Sequence, residues 1–245
     1  MNHAPAARLF HFNQQFSDKD LYWKGSDTEA LFKQNLKDPA ARRRLEEHGW
    51  DQSGSIHYRY NSEGFRDEPF DDRPCGLAFG CSFTEGVGVR IEHTWPRRLT
   101  ERTGLYFWNL GVGGAAVDTI YRFFDHYIDR FRPKAVILCH PPMYRMEYVV
   151  NDHVIRPVSP TAPELDSRHP FAPYLKNYFL HDLNSMLNFE KNMRLLEYIA
   201  AARGLVFMHA PMIDQDCAAR DLMHPGPRSL DRWAEIMADQ IKNKY

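Results

Sequence analysis

From Cys75 onward the chain alternates short apolar runs with amphipathic stretches. Residues 75–80, 105–110, 135–139 and 205–209 are apolar runs bounded by glycine, proline or charge, the pattern of strands buried on both faces. Between and after them lie helical periodicities. One helix is expected from Thr94, an N-cap with Pro96 just inside, to Gly104 as its stop. A second covers about 115–131, with Ile120, Phe123, Phe124, Tyr127, Ile128 and Phe131 on one stripe. Two more cover about 188–203 and 227–242, and Leu230, Trp233, Met237 and Ile241 form the apolar face of the last. Strand–helix alternation implies an α/β fold with a mainly parallel sheet and helices on both faces. Ligands bind beyond the carboxyl ends of such strands, so functional residues are expected just after Gly80, Leu110 and Cys139.

Residues 1–73 have a different texture, polar and rich in charge, and read as an N-terminal extension to a domain over 74–245. A helix is expected over 27–47, broken at Pro39, and a short alternating strand over 56–60 runs into the turn-prone Asn61-Ser62-Glu63-Gly64. Within the domain, an aromatic-rich insertion at about 140–187 contains Tyr144, Tyr148, Phe171, Tyr174, Tyr178 and Phe179. Five prolines lie between Pro157 and Pro173. Its length and position suit a lid or substrate wall, or rings that simply pack the insertion onto the domain.

Charge narrows the function classes. Lys and Arg total 31 against 32 for Asp and Glu, so no net field favours nucleic acid or an anionic membrane as partner. The run Arg42-Arg43-Arg44 reads as a solvated helix face. No window reaches the length of a transmembrane helix, and no signal-peptide pattern opens the chain. Four cysteines without a Cys-x-x-Cys pair argue against a disulfide framework and fit a reducing compartment, so a cytoplasmic location is expected. Twelve histidines form no metal-binding spacing, and neither metal nor organic cofactor is implied.

Two segments carry chemistry. In Gly80-Cys81-Ser82-Phe83-Thr84-Glu85-Gly86 a serine sits at a strand-to-helix turn, which exposes its hydroxyl and aims its own amide into the site. In Arg220-Asp221-Leu222-Met223-His224-Pro225-Gly226 an acid precedes a histidine by three residues, on one side of a single turn, and Pro225 forces His224 out of helical geometry. Alone, each segment has a bland reading: a Gly/Ser turn and a surface Asp–His pair. A third, Gly111-Val112-Gly113-Gly114-Ala115-Ala116, satisfies the Gly-x-Gly-x-x-Ala dinucleotide spacing, but the next strand ends at Cys139-His140 without the acid that reading requires. Cys81 competes with Ser82 as a nucleophile, yet neighbouring side chains on a turn point apart and only one can face His224.

Taken together, Ser82, Asp221 and His224 in that order resemble the SGNH/GDSL hydrolase superfamily. Gly80, Phe83, Thr84 and Gly86 match around the nucleophile, and Pro225 and Gly226 follow the histidine as in the family. Asn109-Leu110-Gly111-Val112-Gly113-Gly114 fits the second motif, and Asn61, Gly64, Phe65 and Arg66 resemble a segment that precedes the first in some members. The resemblance covers about 56–245. It implies a flavodoxin-like three-layer α/β/α fold, a Ser82–His224–Asp221 triad, and an oxyanion hole made by the amides of Ser82 and Gly114. The implied activity is hydrolysis of a small ester, with O-acetylated carbohydrate as the first expectation. An acyltransferase using the same triad and a non-catalytic glycan- or protein-binding module are the alternatives. Two positions depart from the family. Cys81 replaces an aspartate outside the triad. The Gly-x-Asn-Asp motif is replaced by His140-Pro141-Pro142-Met143-Tyr144-Arg145, so either His140, Tyr144 or Arg145 replaces its asparagine donor, with His140 or Arg145 preferred, or the site is slower or does something else.

Overall fold

The computed structural model describes residues 11–50, 56–150, 154–158 and 172–242. A 3-10 turn, Phe12–Phe16, leads into strand β1 (Asp20–Leu21), then helices α1 (Glu29–Lys37) and α2 (Pro39–Glu47). Pro39 divides the helices because its missing amide is harmless only in a first turn. The Asp38 carboxylate caps α2 by accepting from the Ala41 amide at 2.8 Å. Strand β2 (Tyr58–Arg59) pairs antiparallel with β1, a partner too short to show any alternation of its own.

The elements that follow are β3 (Cys75–Gly80), α3 (Ser82–Glu85), α4 (Trp95–Thr103), β4 (Tyr106–Gly111), α5 (Val117–Phe131) and β5 (Ala135–Cys139). A hairpin, β6 (Met146–Val150) and β7 (Val154–Val158), and helix α6 (Ala172–Phe179) occupy the insertion. Phe171, Pro160, Pro163 and Pro170, and the side chain of Tyr148, lie outside the described residues. The chain continues through α7 (Asp182–Ala202), β8 (Val206–Ala210) and α8 (Pro227–Lys242).

Strands β4-β3-β5-β8 form a four-stranded sheet in that order, parallel throughout. Alternate residues feed two cores. On one face Ala78, Phe107 and Ile137 pack with Trp95 and Leu99 of α4 and Leu230, Trp233 and Met237 of α8. On the other, Leu77, Phe79, Val136 and Leu138 meet Ile120, Phe123 and Phe124 of α5 and Leu196 of α7. This is the flavodoxin-like α/β/α arrangement. Phe32, Leu45, Trp50, Tyr58 and Tyr60 of the N-terminal part belong to the first of these cores. No helix of the described residues is long and apolar enough to cross a membrane.

Two local expectations change. Helix α7 starts at Asp182, six residues before the periodicity, and its first turns escape the pattern because Leu183, Met186 and Leu187 are exposed and mark no inward face. Thr94 precedes α4 but does not cap it with its side chain; its hydroxyl donates back to the Ile91 carbonyl at 2.7 Å.

Candidate active site

Strand β3 ends in the middle of the sheet, and the chain turns at once into α3, whose first residue is Ser82. The serine is 7% exposed, and its Oγ lies 2.9 Å from Nε2 of His224. On the other side of the ring, Nδ1 lies 2.6 Å from Oδ2 of Asp221. An ionised carboxylate can only accept, so the imidazole proton sits on Nδ1 and Nε2 is left to accept from the serine hydroxyl. The three residues thus form one continuous hydrogen-bonded chain spanning 142 positions of sequence.

Asp221 is held from several directions. Its Oδ1 accepts the amides of Met223 and His224, each at 3.0 Å, as the tight turn brings them round. Leu222, between Asp221 and Met223, has φ +56°, a conformation unfavourable for a branched side chain and so imposed by the surrounding loop. Burial pushes the Asp221 carboxyl up, but the bonds from His224, Ser26 and the Met223 amide outweigh it and leave the group below its ordinary value. It is therefore an anion at neutral pH. The ring of Phe83 meets His224 edge-on, with centroids 5.6 Å apart, and forms one wall beside the imidazole.

Gly114 lies in the loop after β4. The Val112 carbonyl accepts the Ala115 amide at 2.9 Å, closing a turn whose third residue, Gly114, has φ +81°. That is the glycine position of a type II turn. The loop is anchored from below: Glu85, at the end of α3 and fully buried, accepts the Gly113 amide and the Tyr60 hydroxyl, and its carboxylate lies 3.3 Å from Nζ of Lys24. Burial opposes the Glu85 charge, but Lys24, the Tyr60 hydroxyl and the Gly113 amide together hold its carboxyl below the usual range. Asn109 turns inward, donating to the Thr84 carbonyl at 2.9 Å and accepting the Gly111 amide at 3.0 Å. A side chain at Gly111 would overlap the backbone of Thr84 and Glu85, so close packing against α3 explains this glycine without a dinucleotide.

The N-terminal part supplies residues that sequence reasoning missed. Ser26 donates its hydroxyl to Asp221 Oδ2 at 2.5 Å, across 195 positions of sequence. Beside it, Asp27 receives Arg220 through Nε at 2.9 Å and a terminal nitrogen at 2.7 Å, with both side chains almost wholly buried. Arg220 also stacks over Trp23, 4.0 Å from the ring centroid. Arg66, from the segment resembling a family motif, is fully buried and donates to the carbonyls of Glu85, Gly86, Val89 and His57, clamping the chain that leaves α3. The available signal was weak: Glu85 is the one charged residue between Gly80 and Val89, Arg66 and Arg220 each stand beside an aspartate, and Ser26 follows a glycine in a turn.

His140 and Arg145 have separate partners. Nε2 of His140 lies 2.8 Å from Nδ1 of His209, and His209 in turn meets Glu197 at 3.0 Å. Burial and the neighbouring His209 lower the His140 pKa to about 4, so it is neutral at pH 7. Arg145 donates to the carbonyl of Ala115, next to Gly114, at 3.4 Å. Neither has a hydrogen bond to Ser82, Asp221 or His224. Cys81 is buried, 1% exposed.

No family model and no curated protein matches the chain. Solved structures do. A lipolytic protein of the G-D-S-L family from Desulfitobacterium hafniense DCB-2 aligns at 16% identity and a TM-score of 0.37, over 70% of this chain and 74% of its own. An acetyl xylan esterase from Butyrivibrio proteoclasticus aligns at 15% identity and a TM-score of 0.41, over 72% of this chain and 65% of its own. A GDSL-like lipase from Bacteroides thetaiotaomicron VPI-5482 aligns at 12% identity and a TM-score of 0.34, over 73% of this chain and 93% of its own.

Proposed function

We propose that this chain is an SGNH/GDSL-type serine hydrolase that cleaves small esters. The observation that carries the reading is the unbroken chain Asp221–His224–Ser82, with contacts of 2.6 and 2.9 Å and the imidazole proton on the Asp221 side. In this reading Ser82 Oγ attacks the ester carbonyl while His224 Nε2 takes its proton. Asp221 keeps the ring in that tautomer and stabilises the imidazolium. The Ser82 amide is a first-turn amide of α3, with no acceptor inside the helix, and with Gly114 it serves the oxyanion. His224 then passes the proton to the departing alcohol, and water releases the acyl group by the reverse sequence.

The acyl group is small in this proposal. Ser82 is nearly buried and the Phe83 ring stands edge-on beside His224, which supports a compact acyl group such as acetyl. O-acetylated carbohydrate is the substrate class we propose, on the family resemblance. For the third oxyanion donor we favour Arg145 over His140, because Arg145 already lies against the Gly114 loop while His140 is engaged with His209.

The test is hydrolysis of p-nitrophenyl acetate and butyrate by the protein beside Ser82→Ala and His224→Ala. Turnover should fall by about a thousandfold in both variants, because removing either member disables the unit. Acetate should exceed butyrate. Folded variants that hydrolyse as fast as the wild type would sink the mechanism.

A further inference from the structure

Residues 24–27 form a tight turn in which the Lys24 amide donates to the Asp27 carbonyl at 2.9 Å and the Asp27 amide returns a bond to Lys24 at 3.1 Å. Gly25 takes φ +64°, which an L side chain resists, and so presents the next residue outward from the turn. All three polar side chains of the turn are committed to the site. Lys24 meets Glu85, which holds the Gly113 amide; Asp27 holds Arg220, the neighbour of Asp221; and Ser26, between them, reaches Asp221 itself. The Ser26 Oγ is 2.5 Å from Asp221 Oδ2 and 3.3 Å from His224 Nδ1, so it touches the one carboxylate oxygen that also serves the imidazole.

We infer that Ser26 is a positioning residue of the hydrolytic site, a fourth member that fixes the Asp221 carboxylate and tempers its charge towards His224. The inference rests on the serine-hydrolase reading. A hydroxyl that donates to Oδ2 does two things. It pins the rotation of the carboxylate, which Oδ1 alone would share between two backbone amides. It also draws off part of the negative charge, so Asp221 stabilises the imidazolium less than a bare carboxylate would. The other charged groups around the pair are already joined to one another, Arg220 to Asp27 and Lys24 to Glu85, and a change at Ser26 leaves them in place.

The test needs no knowledge of the natural ester. An alkyl fluorophosphonate probe reacts with an activated serine: the Ser82 Oγ–phosphorus bond forms, the phosphorus–fluorine bond breaks, His224 takes the hydroxyl proton and fluoride leaves. The labelling rate is measured against pH for the wild type, Ser26→Ala, Ser26→Thr and Ser82→Ala. Ser26→Ala should label about tenfold more slowly at its plateau, as expected for a loosened catalytic geometry. Its acid limb should move upward by roughly half a pH unit, because an Asp221 carboxylate relieved of the Ser26 hydroxyl keeps more negative charge facing the ring. Ser26→Thr, which keeps the hydroxyl, should restore both. A change that merely loosened the turn would slow labelling without moving the limb. Ser26→Ala with the wild-type rate and limb, or a limb shift that threonine fails to rescue, overturns the role of Ser26. Failure of the hydrolase reading looks different: the wild type does not label, or Ser82→Ala labels as well as the wild type.

Discussion

Replacing Glu85 by glutamine removes one charge from the floor of the site and leaves the shape unchanged. Glu85 is fully buried, and it faces Lys24, whose side chain is 8% exposed, at 3.3 Å, with the buried Arg66 guanidinium close behind the same helix. In Glu85→Gln the amide oxygen can still accept from Gly113, but Lys24 loses its carboxylate while remaining out of water. Breaking a buried ion pair by removing one partner costs about 3–5 kcal/mol, because the remaining charge is uncompensated. Against a total stability of roughly 5–15 kcal/mol the variant should fold, with a clearly lower urea midpoint. Lys24→Met should cost less. Glu85 would keep the Tyr60 hydroxyl and the Gly113 amide as donors, and it is an anion whose burial other groups also offset. The double variant should be more stable than the sum of the single losses requires, with a coupling of about 1–3 kcal/mol. Urea unfolding of the four proteins measures the cycle. Activity gives a second readout: the Gly113 amide is tied to Glu85, and a displacement of order 1 Å in the adjacent Gly114 loop costs about a hundredfold in kcat. Additive single losses, or a Glu85→Gln midpoint equal to that of the wild type, would refute the argument that Lys24 is held in the site by charge.

Further outcomes follow from packing and protonation. Gly111→Ala would place a Cβ 2.7 Å from the Thr84 carbonyl carbon, in backbone that cannot move aside cheaply. It should destabilise by about 1–3 kcal/mol and disturb α3, lowering thermal midpoint and esterase rate together, whereas retained midpoint and rate would mean that α3 shifts freely. His11 is 3% exposed, bonded through Nε2 to the Glu63 carbonyl at 2.9 Å and stacked on Phe65, and burial lowers its pKa to about 4. The unfolded chain takes up this proton near pH 6.5 and the folded chain only near 4. The stability held in the neutral ring is therefore complete above about pH 6.5 and is lost as pH falls towards 4, by up to about 3 kcal/mol. His11→Phe should lose less stability than the wild type between pH 7 and 4 in urea titrations, and parallel losses would show that His11 protonates without penalty.

Much of this molecule is written in local pattern. Three of the four apolar runs, Cys75–Gly80, Tyr106–Gly111 and Ala135–Cys139, are buried strands, while Val206–Ala210 is a half-buried edge strand in which only Met208 is buried; their alternation with amphipathic stretches leaves a parallel sheet with two helical layers as the arrangement that covers both faces. Ser82 and His224 stood out because each lies where a local rule is broken, at a sharp strand end and before a proline, and Asp221 stood out only by its spacing from His224. Other features could not be read locally. The short strand Asp20–Leu21 exists only because Tyr58–Arg59 lies beside it, and α7 extends past its own periodicity.

The support of the site belongs to tertiary structure alone. Ser26 is an ordinary turn serine until the N-terminal part packs against the sheet and brings it 2.5 Å from a carboxylate 195 residues away. Lys24, Asp27 and Arg220 look like solvated charges in sequence and are buried partners in the fold. The physical reason is one of range. Periodicity records which face of an element is apolar, a property of neighbours within two turns, whereas a buried charge is stable only if a complementary group arrives from elsewhere in the chain. That arrival is decided by how the layers dock, and no local pattern encodes it.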